Sequence, residues 1–327
     1  MNPDLKQKRL WKRLRHGLLE SWFLCFLVRC LLRLLNAMPI SLARRIGRMS
    51  GRLAYHLDRG HRAICHENLM IAFPEKSITE RWSILKASYV HLGVCAVDFC
   101  RFIRISREDI RSQWIVPEEG AEYRLQKALS ENRGVIAISA HIGFWELSGI
   151  GIPIFLGLPM TSVARKLASP RIDALVTGIR SRMGNTIIYQ EGALRRFYRA
   201  LKKKHAVGII MDQHAGRESP WIPFFSREAS TVDTCARLHL LTGAPLLSNL
   251  MIRRADGRYT WRCRPIEVSL PNGEDESLQI ARVLTACNRE FEDAIREHPE
   301  QWLWMHRRWR AKRSPHAPRE VGYHKQH

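Results

Sequence analysis

Residues 134–146 read GVIAISAHIGFWE: Gly134, an apolar β-branched run to Ala140, then His141, Gly143 and, five positions beyond the histidine, Glu146. A short continuous apolar run opened by glycine marks a strand buried on both faces, as in the parallel sheets of α/β proteins. Such a strand delivers His141 to the carboxyl edge of the sheet, where open α/β sheets keep their ligands. A helix starting near Gly143 places Glu146 about one turn in, within reach of the imidazole. A carboxylate that accepts from one ring nitrogen fixes the tautomer and leaves the other nitrogen free to take a proton from a hydroxyl. It also stabilises the imidazolium that forms. No serine is placed to act as nucleophile, so the attacking hydroxyl belongs to the substrate. A single His-x4-Glu spacing arises by chance in chains of this length, and a histidine at a strand end is more often structural than catalytic. The surrounding sequence therefore decides between the two.

Outward from this strand, further β-rich runs occur at 186–189, 206–211, 245–252 and 259–264, with helical patterns over 170–183, 191–204 and 231–243. Strands alternating with helices predict an α/β architecture, a mixed central sheet flanked by helices. A last long helix over 276–297 stops at His298-Pro299, because proline disfavours helix in the residue before it. Residues 40–105 read as helical, with a Ser77/Glu80 capping box opening a long amphipathic helix.

The N-terminus carries Lys6, Lys8, Arg9, Lys12, Arg13 and Arg15 ahead of an apolar segment from Leu18 to Leu35. Its longest uncharged run, Ser21 to Val28, is eight residues, against the ~20 that span a bilayer. Arg29, Arg33 and Asn36 share one helical face, which predicts a retained segment in the membrane interface with basic side chains snorkelling to lipid phosphates. A buried core helix is the alternative. The expected organisation is a membrane-anchoring segment over 1–38 and one domain over 39–312, helical over 39–110 and α/β over 111–312. A loose basic tail follows over 313–327.

The chain has 327 residues, 45% of them hydrophobic, and a formal charge of +22 from 53 Lys+Arg against 31 Asp+Glu. That composition excludes a disordered or fibrous protein and points to anionic partners: nucleic acid, phosphorylated lipid, an anionic membrane or an acidic carrier protein. No recognised nucleic-acid module accompanies the charge, so no nucleic-acid partner is expected. The eight cysteines include no C-x-x-C pair and read as thiols of a reducing compartment. Zinc motifs such as H-E-x-x-H are absent, and neither a metal nor a resident cofactor is expected.

Several stretches occur in one order: Arg62 with NLMIAFP (68–74), HIGFWE (141–146), VARKLASPRIDALVTGIRSRMG (163–184), GIIMDQHAG (208–216), IPFFSREAST (222–231) and HPEQWLWMHRRWR (298–310). Together they resemble the lipid A biosynthesis (lauroyl/myristoyl) acyltransferase family, of the lysophospholipid (glycerolipid) acyltransferase-like superfamily, over roughly residues 20–310. The resemblance implies that His141 is the general base and Glu146 its partner. Arg165, Arg171 and Arg180 match the family's arginine block and would hold phosphate or the donor's phosphopantetheine. Asp212 and Gln213 match its Asp-Gln and would line the same sheet edge. Trp302, Trp304 and Trp309, with His306, Arg307 and Arg308, form either a core seam or a lipid-facing belt, and structure is the favoured role. The chain departs from the family at Phe144 and Ser169, where relatives carry Asn, at Ser226, where they carry Gly, and at Lys166, which replaces a common Pro.

The activity so implied is O-acyl transfer from an acyl carrier protein or coenzyme A thioester to a hydroxyl of a lipid A precursor, a phosphorylated glycolipid, at the cytoplasmic face of the inner membrane among anionic lipids. A lysophospholipid, another glycolipid or an amino-acid lipid would use the same chemistry. A non-catalytic anionic-lipid or nucleic-acid binding protein is the remaining reading. Transfer also needs donors for the tetrahedral oxyanion, from backbone N–H groups after Gly143 or from an arginine, and an apolar slot, to which Phe224, Phe225 and the segment Gly149–Leu158 are candidates.

Overall fold

The computed structural model describes residues 22–309 apart from Arg217. The basic cluster between Lys6 and Arg15 and the tail over 313–327 lie outside the described residues.

The opening strand, β2 (Val135–Ser139), is buried at every position and lies inside a seven-stranded sheet of order β1-β9-β8-β2-β5-β3-β4. Its parallel neighbours are β5 (Ala206–Ile210) and β8 (Leu246–Arg253). Beyond β5 come β3 (Met160–Ala164) and β4 (Asn185–Tyr189), also parallel. On the other side β9 (Tyr259–Pro265) runs antiparallel to β8, with β1 (Ile115–Pro117) at its edge. The sheet is therefore mixed. Burial on both faces is why β2 is continuously apolar rather than alternating.

The flanking helices build two cores. One core gathers α5 (Ala121–Ser130), α6 (Trp145–Leu156) and α7 (Pro170–Ser181), and the other α3 (Arg59–Ala72), α8 (Ala193–Lys202), α9 (Thr234–Thr242) and α10 (Glu276–Glu297). Four strands escaped the sequence pattern. β1 has three residues, β3 mixes Thr161 and Ser162 with apolar neighbours, and the hairpin of β6 (Trp221–Phe224) and β7 (Arg227–Ser230) contains Pro223. Proline is tolerated there because a two-stranded hairpin leaves strand edges unpaired.

Ahead of the sheet lie α1 (Trp22–Ala37), α2 (Ile40–Leu57) and α4 (Ile78–Arg101). The Ser77/Glu80 capping box opens α4, the Ser77 N–H donating to Glu80 Oε2 at 2.7 Å and the Glu80 N–H to Ser77 Oγ at 3.2 Å. Gly47 and Gly51 of α2 meet Gly93 and Tyr89 of α4, and any Cβ at these glycines would strike the partner's backbone. α4 is long and apolar enough by composition to cross a membrane, yet its polar side chains hold the core together. Asp98, fully buried, takes a bidentate contact from Arg44 at 2.9 and 3.0 Å and the Tyr259 hydroxyl at 2.6 Å.

Asn36, expected to face lipid with Arg29 and Arg33, turns inward and donates to the carbonyls of Leu32 and Cys100. Leu32 and Leu35 of α1 are buried, whereas Phe26, Leu27, Leu31 and Leu34 are exposed. On α2 the exposed apolar residues Leu42, Ile46, Met49, Leu53 and Leu57 follow three- and four-residue spacing, which aligns them in one stripe. Arg45 and Arg52, exposed, and Arg48, half-buried, flank that stripe.

Candidate active site

Strands β2 and β5 pair in parallel with Ser139 opposite Ile210. Two residues past each of these positions stand His141 and Asp212, which the common register brings side by side at the carboxyl edge. Asp212 is 2% exposed and is held by three hydrogen-bond contacts. The His141 backbone N–H donates to Oδ2 at 2.8 Å, the Trp302 indole N–H to the same oxygen at 2.7 Å, and His141 Nδ1 lies 2.7 Å from Oδ1. Burial pushes the Asp212 carboxyl up, but the imidazole of His141 and these hydrogen bonds outweigh it and hold the pKa below the ordinary carboxylate value. An ionised carboxylate only accepts, so Nδ1 carries the proton and Nε2 is the basic nitrogen.

This geometry corrects one expectation. The carboxylate that orients His141 is Asp212, not Glu146. Glu146 sits in the first turn of α6 and takes the guanidinium of Arg180 from α7, with Nε 2.8 Å from Oε2 and Nη2 on Oε1. Spacing along the chain put Glu146 within reach of the ring, but the fork of a nearby guanidinium matches a carboxylate better than a single ring N–H.

His141 Nε2 faces a cavity of about 800 Å³. Glu146, Arg165, Arg180, Gln213 and Arg307 are among its charged and polar lining residues, and between α6 and the sheet Ala137, Gly149, Ile152, Met160 and Gly208 line it together with Ser148, Asn185 and Asn249. Gln213 Nε2 lies 3.4 Å from His141 Nε2, and the Trp145 ring lies 5.2 Å from the imidazole. Arg165 is exposed at the wall, whereas Arg171, in the first turn of α7, is not among the lining residues. Of the five residues proposed to bind substrate, the fold thus brings Arg165, Arg180 and Gln213 to the cavity, puts Asp212 behind the histidine and leaves Arg171 outside. Among the described residues, no three His, Cys, Asp or Glu side chains are grouped to hold a metal ion.

The turn between His141 and α6 is tightly specified. Gly143 has φ +61°, and a Cβ there would fall on the Met251 carbonyl. Its N–H donates to the Gln301 carbonyl at 2.9 Å and that of Phe144 to Met251 at 2.7 Å. Those two N–H groups are therefore committed and not available to an oxyanion, which leaves those of Trp145 and Glu146 in the first turn of α6 as the backbone candidates the sequence offered. The Gly143 carbonyl lies 2.9 Å from His91 Nε2. Burial lowers His91 to a pKa of about 4, so it is neutral and donates to that carbonyl.

The far C-terminal block closes the same edge. Trp302, Trp304 and Trp309 are buried, which makes them a core seam rather than a lipid belt. Asn68 from the NLMIAFP block donates to the Trp304 and His306 carbonyls at 2.8 and 2.7 Å, so sequence blocks more than 200 residues apart meet here. His306 lines the cavity and accepts the His214 N–H at 2.9 Å; burial lowers it to about 4. Arg308, fully buried, donates to Ser230 and Thr231.

Phe224 and Phe225 do not line the cavity. Phe224 packs on Trp302 and Trp309, and Phe225 on Phe73 in a separate cleft. Only Gly149 and Ile152 of the expected 149–158 segment face the cavity. The departures also have local roles. Phe144 stacks on Phe102 at 5.4 Å, Ser169 caps α7 through the Ile172 N–H, Ser226 donates to the Ile71 carbonyl and Lys166 lies over the Tyr189 ring.

Comparison with known proteins gives the family. A family model described as bacterial lipid A biosynthesis acyltransferase matches residues 10–311. The chain is 30% identical over 274 residues to the lipid A biosynthesis palmitoleoyltransferase of Escherichia coli (strain K12), covering 82% of this chain and 84% of that one. It is 27% identical to the lauroyltransferase of the same organism, covering 84% and 87%, and 26% identical to its myristoyltransferase, covering 80% and 77%. The chain belongs to the bacterial lipid A biosynthesis acyltransferase family and is an O-acyltransferase.

Proposed function

We propose that this acyltransferase moves a fatty acyl group from a thioester of acyl carrier protein or coenzyme A to a hydroxyl of a lipid A precursor, with His141 as general base. The observation that carries this is the Asp212–His141 pair, which sets the ring proton on Nδ1, leaves Nε2 as the basic nitrogen and borders a cavity lined by both charged and apolar side chains. The acceptor hydroxyl gives its proton to Nε2 as its oxygen attacks the thioester carbonyl. The tetrahedral intermediate then collapses, the C–S bond breaks, and the imidazolium returns the proton to the departing sulfur. Asp212 stabilises the imidazolium throughout.

The amide of Gln213, beside Nε2, is the protein donor we assign to the oxyanion. Arg165, Arg307 and the Glu146–Arg180 pair would meet the phosphates of acceptor or donor at the cavity rim. Residues Ala137, Ile152 and Gly208 would flank the acyl chain in the space between α6 and the sheet. The chemistry requires no resident cofactor.

The exposed stripes of α1 and α2, with arginines beside them, support residence in the interface of an anionic leaflet, with the active site on the cytoplasmic face. His61 and Ile64 of α3, which follows α2 directly, line the cavity. A lipid acceptor would therefore enter from the side that carries the stripe.

The test is lipid A mass spectrometry in a bacterial host lacking its own late acyltransferase, complemented with the wild-type chain or with His141→Ala at matched membrane levels. One added acyl chain with wild type alone is the expected result. Equal acylation by both overturns the base assignment, and unchanged lipid A with both overturns the acceptor class.

A further inference from the structure

α8 (Ala193–Lys202) has the sequence ALRRFYRALK. Phe197, Ala200 and Leu201 are buried in the core, and Arg195, Arg196, Arg199, Lys202 and Lys203 are exposed. At 100° per residue these five cations fall within about 120° of arc directly opposite the buried face and extend over roughly 12 Å of helix axis. Lys202 leans over the Tyr198 ring, and none of the five belongs to any salt bridge among the described residues. Elsewhere on the protein many arginines do find carboxylates, such as Arg237 with Asp233 and Arg296 with Glu292.

Two features say what covers this face. It holds no apolar stripe, Leu194 being the one large aliphatic residue exposed on α8, in contrast to α2, where Leu42, Ile46, Met49, Leu53 and Leu57 are exposed in register. A purely cationic face gains little by insertion into lipid, since burial of apolar area supplies that binding. The start of the helix also lies close to the active site in the chain. Gln190, at the end of β4, lines the cavity, and α8 starts two residues after Glu191.

We propose that the exposed face of α8 is the docking surface for an acidic protein that carries the acyl group as a thioester on a flexible arm. The inference rests on the acyl-transfer reading above and adds the place where the donor's carrier binds. Unpaired cations aligned along one helix complement an acidic helix laid beside it, speed encounter and suppress neutral partners. The arm then passes over Gln190 into the cavity, and the carrier need not enter.

The experiment uses the full chain in detergent micelles, with Arg195→Glu/Arg199→Glu/Lys203→Glu as the variant and Lys86→Glu/Lys127→Glu/Arg289→Glu as a matched reversal on other helices. Binding of purified acyl carrier protein is titrated at low and high salt, and vesicle partitioning and acyl transfer from both acyl-CoA and the acylated carrier are measured on the same preparations. The proposal expects the α8 variant to bind the carrier about tenfold or more weakly at 0.1 M salt, and wild type and variant to converge near 1 M, where charges are screened within ~3 Å. It also expects unchanged vesicle partitioning and unchanged transfer from acyl-CoA, and near-normal carrier binding by the control variant. Carrier binding unchanged by the α8 reversal overturns it, as does a loss confined to vesicle partitioning, which would give the patch to the membrane. Carrier binding that needs α8 while no acyl transfer occurs from either donor would instead sink the acyl-transfer reading.

Discussion

Asp212→Asn is the substitution that tests the site most directly, because the tautomer of His141 depends on a carboxylate with two acceptor oxygens. Oδ2 takes two N–H groups, from the His141 backbone and the Trp302 indole, and Oδ1 faces Nδ1. Asparagine offers one oxygen and one NH2. Its oxygen must take the Oδ2 place, since an NH2 there would oppose two donors, and its NH2 then points at Nδ1. The ring answers by accepting at Nδ1 and carrying its proton on Nε2, so the lone pair that faced the cavity is lost. Returning to the active tautomer sets N–H against N–H and forfeits a charge-assisted bond in a buried position, a cost of about 3–5 kcal/mol. At about 1.4 kcal/mol per factor of ten, the rate constant should fall on the order of 10²–10⁴. The volume is unchanged and the other two hydrogen bonds persist, so the folded state should survive.

The assay is kcat for acyl transfer to the lipid acceptor in detergent, with thermal unfolding of the same preparations as control. Glu146→Gln, which keeps a hydrogen bond to Arg180 but removes the charge, is the comparison and should act mainly on KM. A kcat for Asp212→Asn within tenfold of wild type, with kcat collapsing in Glu146→Gln, would refute the reasoning and return the orienting role to Glu146.

Further outcomes follow from other parts of the structure. His91 has its pKa lowered to about 4 by burial, so the unfolded chain binds its proton first as pH falls below ~6.5. Stability should therefore be complete above that pH and decline down to about 4, by about 3 kcal/mol from this residue, with His306 adding to the slope. Urea titrations across this range should show the decline, and a smaller one in His91→Gln. Gly143→Ala must place a Cβ on the Met251 carbonyl at a φ of +61°, where the backbone term alone costs about 1–2 kcal/mol. Calorimetry should show a Tm several degrees lower and an activity assay a loss beyond that of unfolding. Replacing Met49 and Leu53 on the exposed stripe of α2 by Asp should lower partitioning into anionic vesicles by at least about tenfold, as sedimentation would show, with the folded state intact.

The sequence by itself determined the parts whose physics is local. The apolar run of β2 is continuous because both faces are covered, the capping box at Ser77 states where α4 begins, and Pro299 states where α10 ends. His141 at a strand end was legible for the same reason. β3 and the β6–β7 hairpin were not, since Thr161, Ser162 and Pro223 dilute the period on which strand reading depends. Tertiary structure decided the partners. Asp212 stands 71 positions from His141, and only the register of two adjacent parallel strands makes them neighbours. Glu146, five positions away, is claimed instead by Arg180, which the helix after β3 brings across the cavity. Separation along the chain limits what a side chain reaches within one helix or turn, whereas strand pairing brings together residues at any separation, and the reacting pair is of the second kind.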